Sequence, residues 1–123
     1  MASKKAKRKC VTIERDQGIG DVFVVLGHTD CGAVKGACDG VQLGSLTHTL
    51  SNLAPAIYAV PGFEGSRTSG NAEFVSAVTH ANVDLNVKSI RDRSQVIADL
   101  VAAGELLIVG AIYDVATGRV SFP

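Results

Sequence analysis

The hydrophobic pattern along the chain changes period several times. Asp21-Val-Phe-Val-Val-Leu26 is a short, nearly continuous apolar run rich in β-branched residues and ends at Gly27, the pattern of a strand buried on both faces. Leu106-Leu-Ile-Val-Gly-Ala-Ile-Tyr113 repeats it after Gly104. Ala116-Thr-Gly118 then signals a turn, after which Arg119-Val-Ser-Phe122 can return as an edge strand. Between these runs the period is helical. Ser45 is a suitable N-cap for a stripe formed by Leu46, Leu50, Leu53 and Ile57, interrupted at Pro55. The stretch from Pro61 to Gly70, rich in Gly, Ser and Thr, reads as a loop. Asn71 caps a predicted helix with Phe74, Val75, Val78, Asn82 and Leu85 along one side. Ser94 caps another carrying Val96, Ile97, Leu100 and Val101, with Gly104 as its C′ glycine. Strands alternating with helices predict an α/β domain with a mainly parallel β-sheet flanked by helices. Two strong strands are thin for this much helix, so either Val11 to Ile13 adds a strand or a partner chain completes the sheet.

The chain has 123 residues, 46% hydrophobic and 20% charged, which fits one globular domain and excludes disorder throughout. The formal net charge of zero conceals an asymmetry: Lys4, Lys5, Lys7, Arg8 and Lys9 hold five of the twelve basic residues. Residues 1–9 therefore read as a solvated basic tail, and residues 10–123 as a single domain with a balance of −5. That body offers no basic face for nucleic acid. No apolar run approaches the roughly 20 residues of a membrane span, and the basic start leads into no signal-peptide core, so a cytoplasmic protein is expected. Three cysteines in such a chain favour reduced thiols or metal ligands over disulfides.

Chemistry concentrates in His28-Thr-Asp-Cys31-Gly32, directly after the first predicted strand, where open α/β sheets place their sites. An imidazole and a thiolate three positions apart can close on one metal, and zinc suits one nitrogen and one sulfur ligand. A helix beginning at Gly32 would favour the ligating thiolate. The alternative is a His and a Cys that are simply packed at a strand end. Cys38, two helical turns further on, reads as a buried structural thiol. His48 and His80 fall on predicted helices as surface or packed residues, and Asp30 is expected to face solvent. Gly18-Ile-Gly20 lacks the remaining features of a dinucleotide fingerprint.

The run Val24-Val-Leu-Gly-His-Thr-Asp-Cys-Gly-Ala-Val-Lys-Gly-Ala37 resembles the His-x-x-Cys zinc segment of the β-class carbonic anhydrases. His80-Ala-Asn-Val, Ser89-Ile-Arg-Asp-Arg-Ser94 and Val109 through Phe122 resemble that family's later helices and closing strand, in the same order. The resemblance implies a zinc-dependent lyase that reversibly hydrates carbon dioxide to bicarbonate and a proton, with His28 and Cys31 as zinc ligands. It also implies a homodimer or larger homo-oligomer, and backbone N–H groups around Gly32 that orient bicarbonate. The family carries an earlier Cys-x-Asp-x-Arg segment, whose cysteine is the third ligand and whose Asp and Arg form a catalytic dyad. Cys10 is the only cysteine ahead of His28, and is either that ligand or a free terminal thiol. Aligned on the motif, Thr12 stands in the place of Asp and Glu14 in the place of Arg, so the dyad is not matched. A strand and helix that the family places between this motif and the zinc strand are missing. The competing expectation is a catalytically inactive remnant that serves as a structural or interaction domain.

Overall fold

The computed structural model describes residues 21–61 and 63–122. The basic tail, Cys10 and the possible strand at Val11 to Ile13 lie outside the described residues. Strand β1 (Asp21–His28) is followed by helices α1 (Gly32–Cys38), α2 (Gly44–Ser51), α3 (Ala54–Tyr58), α4 (Ala72–Arg93) and α5 (Gln95–Ala102). Strands β2 (Leu106–Tyr113) and β3 (Val120–Ser121) close the described fold. In the sheet β2 lies between the other two. β1 and β2 are parallel over their whole length, from Asp21 opposite Leu106 to His28 opposite Tyr113. β3 returns antiparallel, with Ile112 opposite Ser121 and Tyr113 opposite Val120. The α/β class and mainly parallel ladder follow the sequence pattern, and the sheet is partial. No helix among the described residues is long and apolar enough to cross a membrane.

Local sequence explains most boundaries. The Asn71 side chain accepts the backbone N–H groups of Glu73 and Phe74, and Ser94 accepts that of Ile97, so both predicted caps form. At the end of α5, Gly104 takes a left-handed φ of 73° while Gly104 N–H and Glu105 N–H donate to the carbonyls of Val101 and Leu100. That pairing is a Schellman stop. Pro55 sits in the first turn of α3, so the apolar stripe from Leu46 to Ile57 is cut into two helices, as its missing N–H requires.

The start of α2 differs from expectation. Leu43 occupies the N-cap and Ser45 lies inside the first turn, because Thr47 Oγ1 takes the Leu43 N–H at 2.7 Å and the chain enters through Gly44 at a φ of 49°. Leu46 is consequently exposed while Leu50 is buried. On α4 the buried stripe runs through Phe74, Val75, Val78, Thr79 and Val83, leaving the expected Asn82 only half-buried.

The core sits where α1, α3 and the first half of α4 meet. Val34, Ala56, Phe74, Val75 and Val78 are buried there, with Cys31, Cys38, Leu53, Ile57 and Phe63 packed around them. α4 lies close against the sheet because glycine occupies the facing position on both long strands. A Cβ built at Gly27 would stand 2.7 Å from Val83 Cγ2, and one at Gly110 would stand 2.7 Å from Val83 Cγ1. Val83 is buried and β-branched, so it has little room to turn away. Gly110→Ala should therefore destabilise the fold by about 1–3 kcal/mol, as overpacking does. A urea denaturation midpoint equal to that of the parent would show that α4 can lift off the sheet freely.

Candidate metal centre

Side chains alternate across a strand, so Gly27 facing α4 sends Val24, Leu26 and His28 to the opposite face of β1. His28 is the last residue of the strand and is exposed. Thr29 N–H donates to Tyr113 O at 2.9 Å, adding one rung to the β1–β2 ladder. The chain then turns through Asp30, whose φ of 55° is left-handed, and reaches Cys31 at the N-cap of α1 in extended conformation.

The two candidate donors are prepared differently. His28 Nδ1 lies 2.8 Å from Thr29 O. A carbonyl only accepts, so in this bond Nδ1 is the donor and Nε2 keeps its lone pair, as in an imidazole that binds metal through one nitrogen and a carbonyl through the other. Cys31 is a free, half-buried thiol that caps nothing with its side chain. One imidazole nitrogen and one thiol suit zinc in kind, and they amount to two of the three protein ligands a catalytic zinc takes. Among the described residues no group of three or more His, Cys, Asp or Glu side chains could hold a metal. Gly32 opens α1, and nothing lies within 4 Å of where its side chain would stand.

The surrounding charges are surface features. Asp30 is exposed, as expected, and paired with Lys35; that hydrogen bond first, and the lysine charge second, hold its carboxyl below the usual carboxylate range. Cys38 is free and half-buried against the core, and burial first, then the Asp39 charge, pushes its thiol up. His48 and His80 are exposed on α2 and α4, and His80 Nδ1 bonds its own helix at Ser76 O, 2.8 Å away. A cleft of about 310 Å³ opens beside the turn on the α4 side, between Thr29, Asp30 and Lys35 and the α4 residues Val75, Ser76 and His80. Neither His28 nor Cys31 lines it.

Two clamps in this region were not apparent from the sequence. Thr29 Oγ1 accepts Val115 N–H at 3.0 Å and donates to Asp114 Oδ1 at 3.5 Å, joining the turn between His28 and Cys31 to the β2–β3 turn. Asp114 followed by Thr117-Gly118 is a recognisable Asx-turn signal, but nothing in the sequence pairs it with Thr29. The second clamp holds the loop before α4: Asp39 accepts Ser69 N–H at 2.8 Å and Ser69 Oγ at 2.5 Å. Those bonds, the hydroxyl's first, lower the Asp39 carboxyl below its ordinary value. A carboxyl depressed in the folded state contributes stability that is present above its unfolded value of about 3.9 and is lost as pH falls through the lower folded value. Amide exchange at Ser69 should accordingly lose protection on acidification below about pH 4. In Asp39→Asn that step should vanish; an unchanged acid step in the variant would assign it to another group.

Comparison with known proteins places this geometry. The family model described as Carbonic anhydrase matches residues 16–120. A curated carbonic anhydrase of Mycolicibacterium smegmatis is 33% identical over 104 residues, an alignment covering 80% of this chain and 47% of that protein. The crystal structure of a β-carbonic anhydrase of Aspergillus fumigatus superposes with a TM-score of 0.65 at 26% identity, covering 84% of this chain and 48% of that one. Tetrameric β-carbonic anhydrases of Sordaria macrospora share the fold, with a TM-score of 0.65 at 24% identity over 83% of this chain and 51% of theirs. The chain thus spans about half the length of the curated relatives it matches. The glycine-backed parallel pair and the His-x-x-Cys turn at its carboxyl end both lie inside the matched region, and the chain belongs to the β-class carbonic anhydrase family.

Proposed function

We propose that this chain carries a zinc-dependent carbonic anhydrase site for the reversible hydration of carbon dioxide to bicarbonate and a proton. The observation that carries the proposal is His28: its Nδ1 is committed to Thr29 O, leaving Nε2 free three residues before an unpaired thiol. A zinc ion held by these residues would supply the Lewis acidity that makes water a nucleophile near neutral pH. His28 Nε2 and the Cys31 thiolate provide two ligands, and Cys10 is the proposed third. Gly32 opens α1, nothing lies within 4 Å of where its Cβ would stand, and its N–H is the proposed donor to bicarbonate.

The assembly proposed is a homodimer or larger homo-oligomer. Phe23, Val24 and Leu26 of β1 are exposed, Leu26 by 55%, and among the described residues β1 has a partner strand on one edge only. A second copy would cover that apolar surface. Free Cys31 and Cys38 fit a reducing compartment, and we assign the protein to the cytoplasm. A second function is a retained fold that serves as a structural or interaction domain, favoured because, with Cys10 aligned on the Cys-x-Asp-x-Arg motif, Thr12 and Glu14 stand in place of its Asp and Arg.

Stopped-flow carbon dioxide hydration on zinc-loaded protein, beside Cys31→Ser, decides between them. Hydration above buffer that disappears in the variant is the result expected for the enzyme. Equal traces would establish the inactive domain.

A further inference from the structure

We propose that Thr29 and Asp114 are positioning residues that set the orientation of the His28 imidazole from the turn between β2 and β3. The inference rests on the zinc role proposed for His28 and Cys31. His28 is oriented by its bond to the Thr29 carbonyl, so whatever holds residue Thr29 in place on either side of its Cα helps to hold the ring. Three contacts do so. Thr29 N–H is held by Tyr113 O at 2.9 Å, its hydroxyl accepts Val115 N–H at 3.0 Å, and the same hydroxyl reaches Asp114 Oδ1 at 3.5 Å.

The far side of this link is itself rigid. Asp114 Oδ1 accepts Ala116 N–H at 2.9 Å, Asp114 N–H donates to Arg119 O at 2.7 Å, and Gly118 N–H donates to Asp114 O at 2.8 Å. A tight turn at the end of β2 therefore holds the residue whose carbonyl holds the imidazole. Asp30 comes next in the left-handed region, which aspartate tolerates better than most side chains, so the turn itself is unstrained and its register is set by the contacts of Thr29. The hydroxyl has no part in the buried core, since Val115 is exposed and water can replace Thr29 at its N–H. Loss of the hydroxyl should move the metal site more than it moves the fold.

Cobalt(II) titration of the metal-free protein, followed by its visible absorption, tests this in the parent, Thr29→Val, Thr29→Ser and Asp114→Ala. The parent should bind one cobalt with the intense absorption of a tetrahedral site. Thr29→Val and Asp114→Ala keep the carbonyl that holds the imidazole but loosen its placement, so they should bind up to about tenfold more weakly, the low end of the loss when a ligand's partner is removed outright, and with a shifted spectrum. Thr29→Ser keeps the hydroxyl and should restore both. Parent-like affinity and spectrum in Thr29→Val and Asp114→Ala would overturn the proposal, as would Thr29→Ser failing as badly as Thr29→Val. If Thr29→Val does not fold, Asp114→Ala, altered in an exposed turn, decides between the same outcomes. A parent that takes up no cobalt would remove the zinc role itself, a failure distinct from parent and variants binding alike.

Discussion

Cys31→Ser is expected to leave the purified protein without stoichiometric zinc while its fold stays intact or becomes more stable. A hydroxyl does not ionise near neutral pH and is a poor ligand beside an imidazole, so the nitrogen–sulfur pair is reduced to one donor. The helix responds in the opposite direction. Cys31 occupies the N-cap of α1 without capping it, and serine is among the best residues at that position. A new side-chain bond to a first-turn N–H would add up to about 1 kcal/mol, against a small loss of packing where Cys31 touches the core. Metal content and the thermal midpoint of the metal-free protein should thus separate. Near-stoichiometric zinc in the serine variant would remove Cys31 from the site.

The largest loss of stability is expected for Phe74→Ala, about 3–5 kcal/mol. Phe74 is 0% exposed, meets Phe63 edge-on at 5.4 Å between ring centroids, and lies under the Arg67 guanidinium at 4.7 Å. Arg67 in turn donates to the carbonyls of Val60 and Ile57, so the ring joins the start of α4 to the loop before it and to the end of α3. Removing it opens a cavity and releases a cation that held two backbone oxygens. Domains of this size have only about 5–15 kcal/mol in total, so much of the variant should be unfolded at physiological temperature. Urea denaturation measures the difference. A change under about 1 kcal/mol would mean that the core collapses around the gap.

Much of the fold was legible because its signals are local. Asn71, Ser94 and Gly104 act on N–H groups within a few residues of themselves, and the two β-branched runs announce their strands. β1, expected to be buried on both faces, is nevertheless exposed at Phe23, Val24 and Leu26, where no second layer covers it among the described residues. Ser45 misled for the same reason: Thr47 offered a competing hydroxyl two residues later, and only the geometry at Gly44 decides between them. The shift from Asn82 to Val83 has a tertiary cause, since Val83 is the residue that fits over Gly27 and Gly110. The proposed pairing of His28 and Cys31 as donors rests on spacing and resemblance, signals that are local as well. Thr29 could not be read in this way, because its partners lie 85 and 86 residues away, and a threonine in a turn carries no sign of where its hydroxyl will go.

The parallel pairing of β1 with β2 joins residues 85 apart in sequence, Asp21 with Leu106, and this fixes the order in which the molecule can assemble. The β2–β3 hairpin and the capped helices can form from local contacts, whereas β1 must wait for closure of an 85-residue loop. At ordinary synthesis rates β1 leaves the ribosome roughly ten seconds before its partner strand. For that interval its apolar run has no partner among the described elements, and the turn bearing His28 and Cys31 has no Tyr113 or Val115 to rest on. The metal capture proposed for these two residues would therefore be a late event in the life of the nascent chain. Premature termination ahead of Leu106 would leave the donors on an unpaired, aggregation-prone strand.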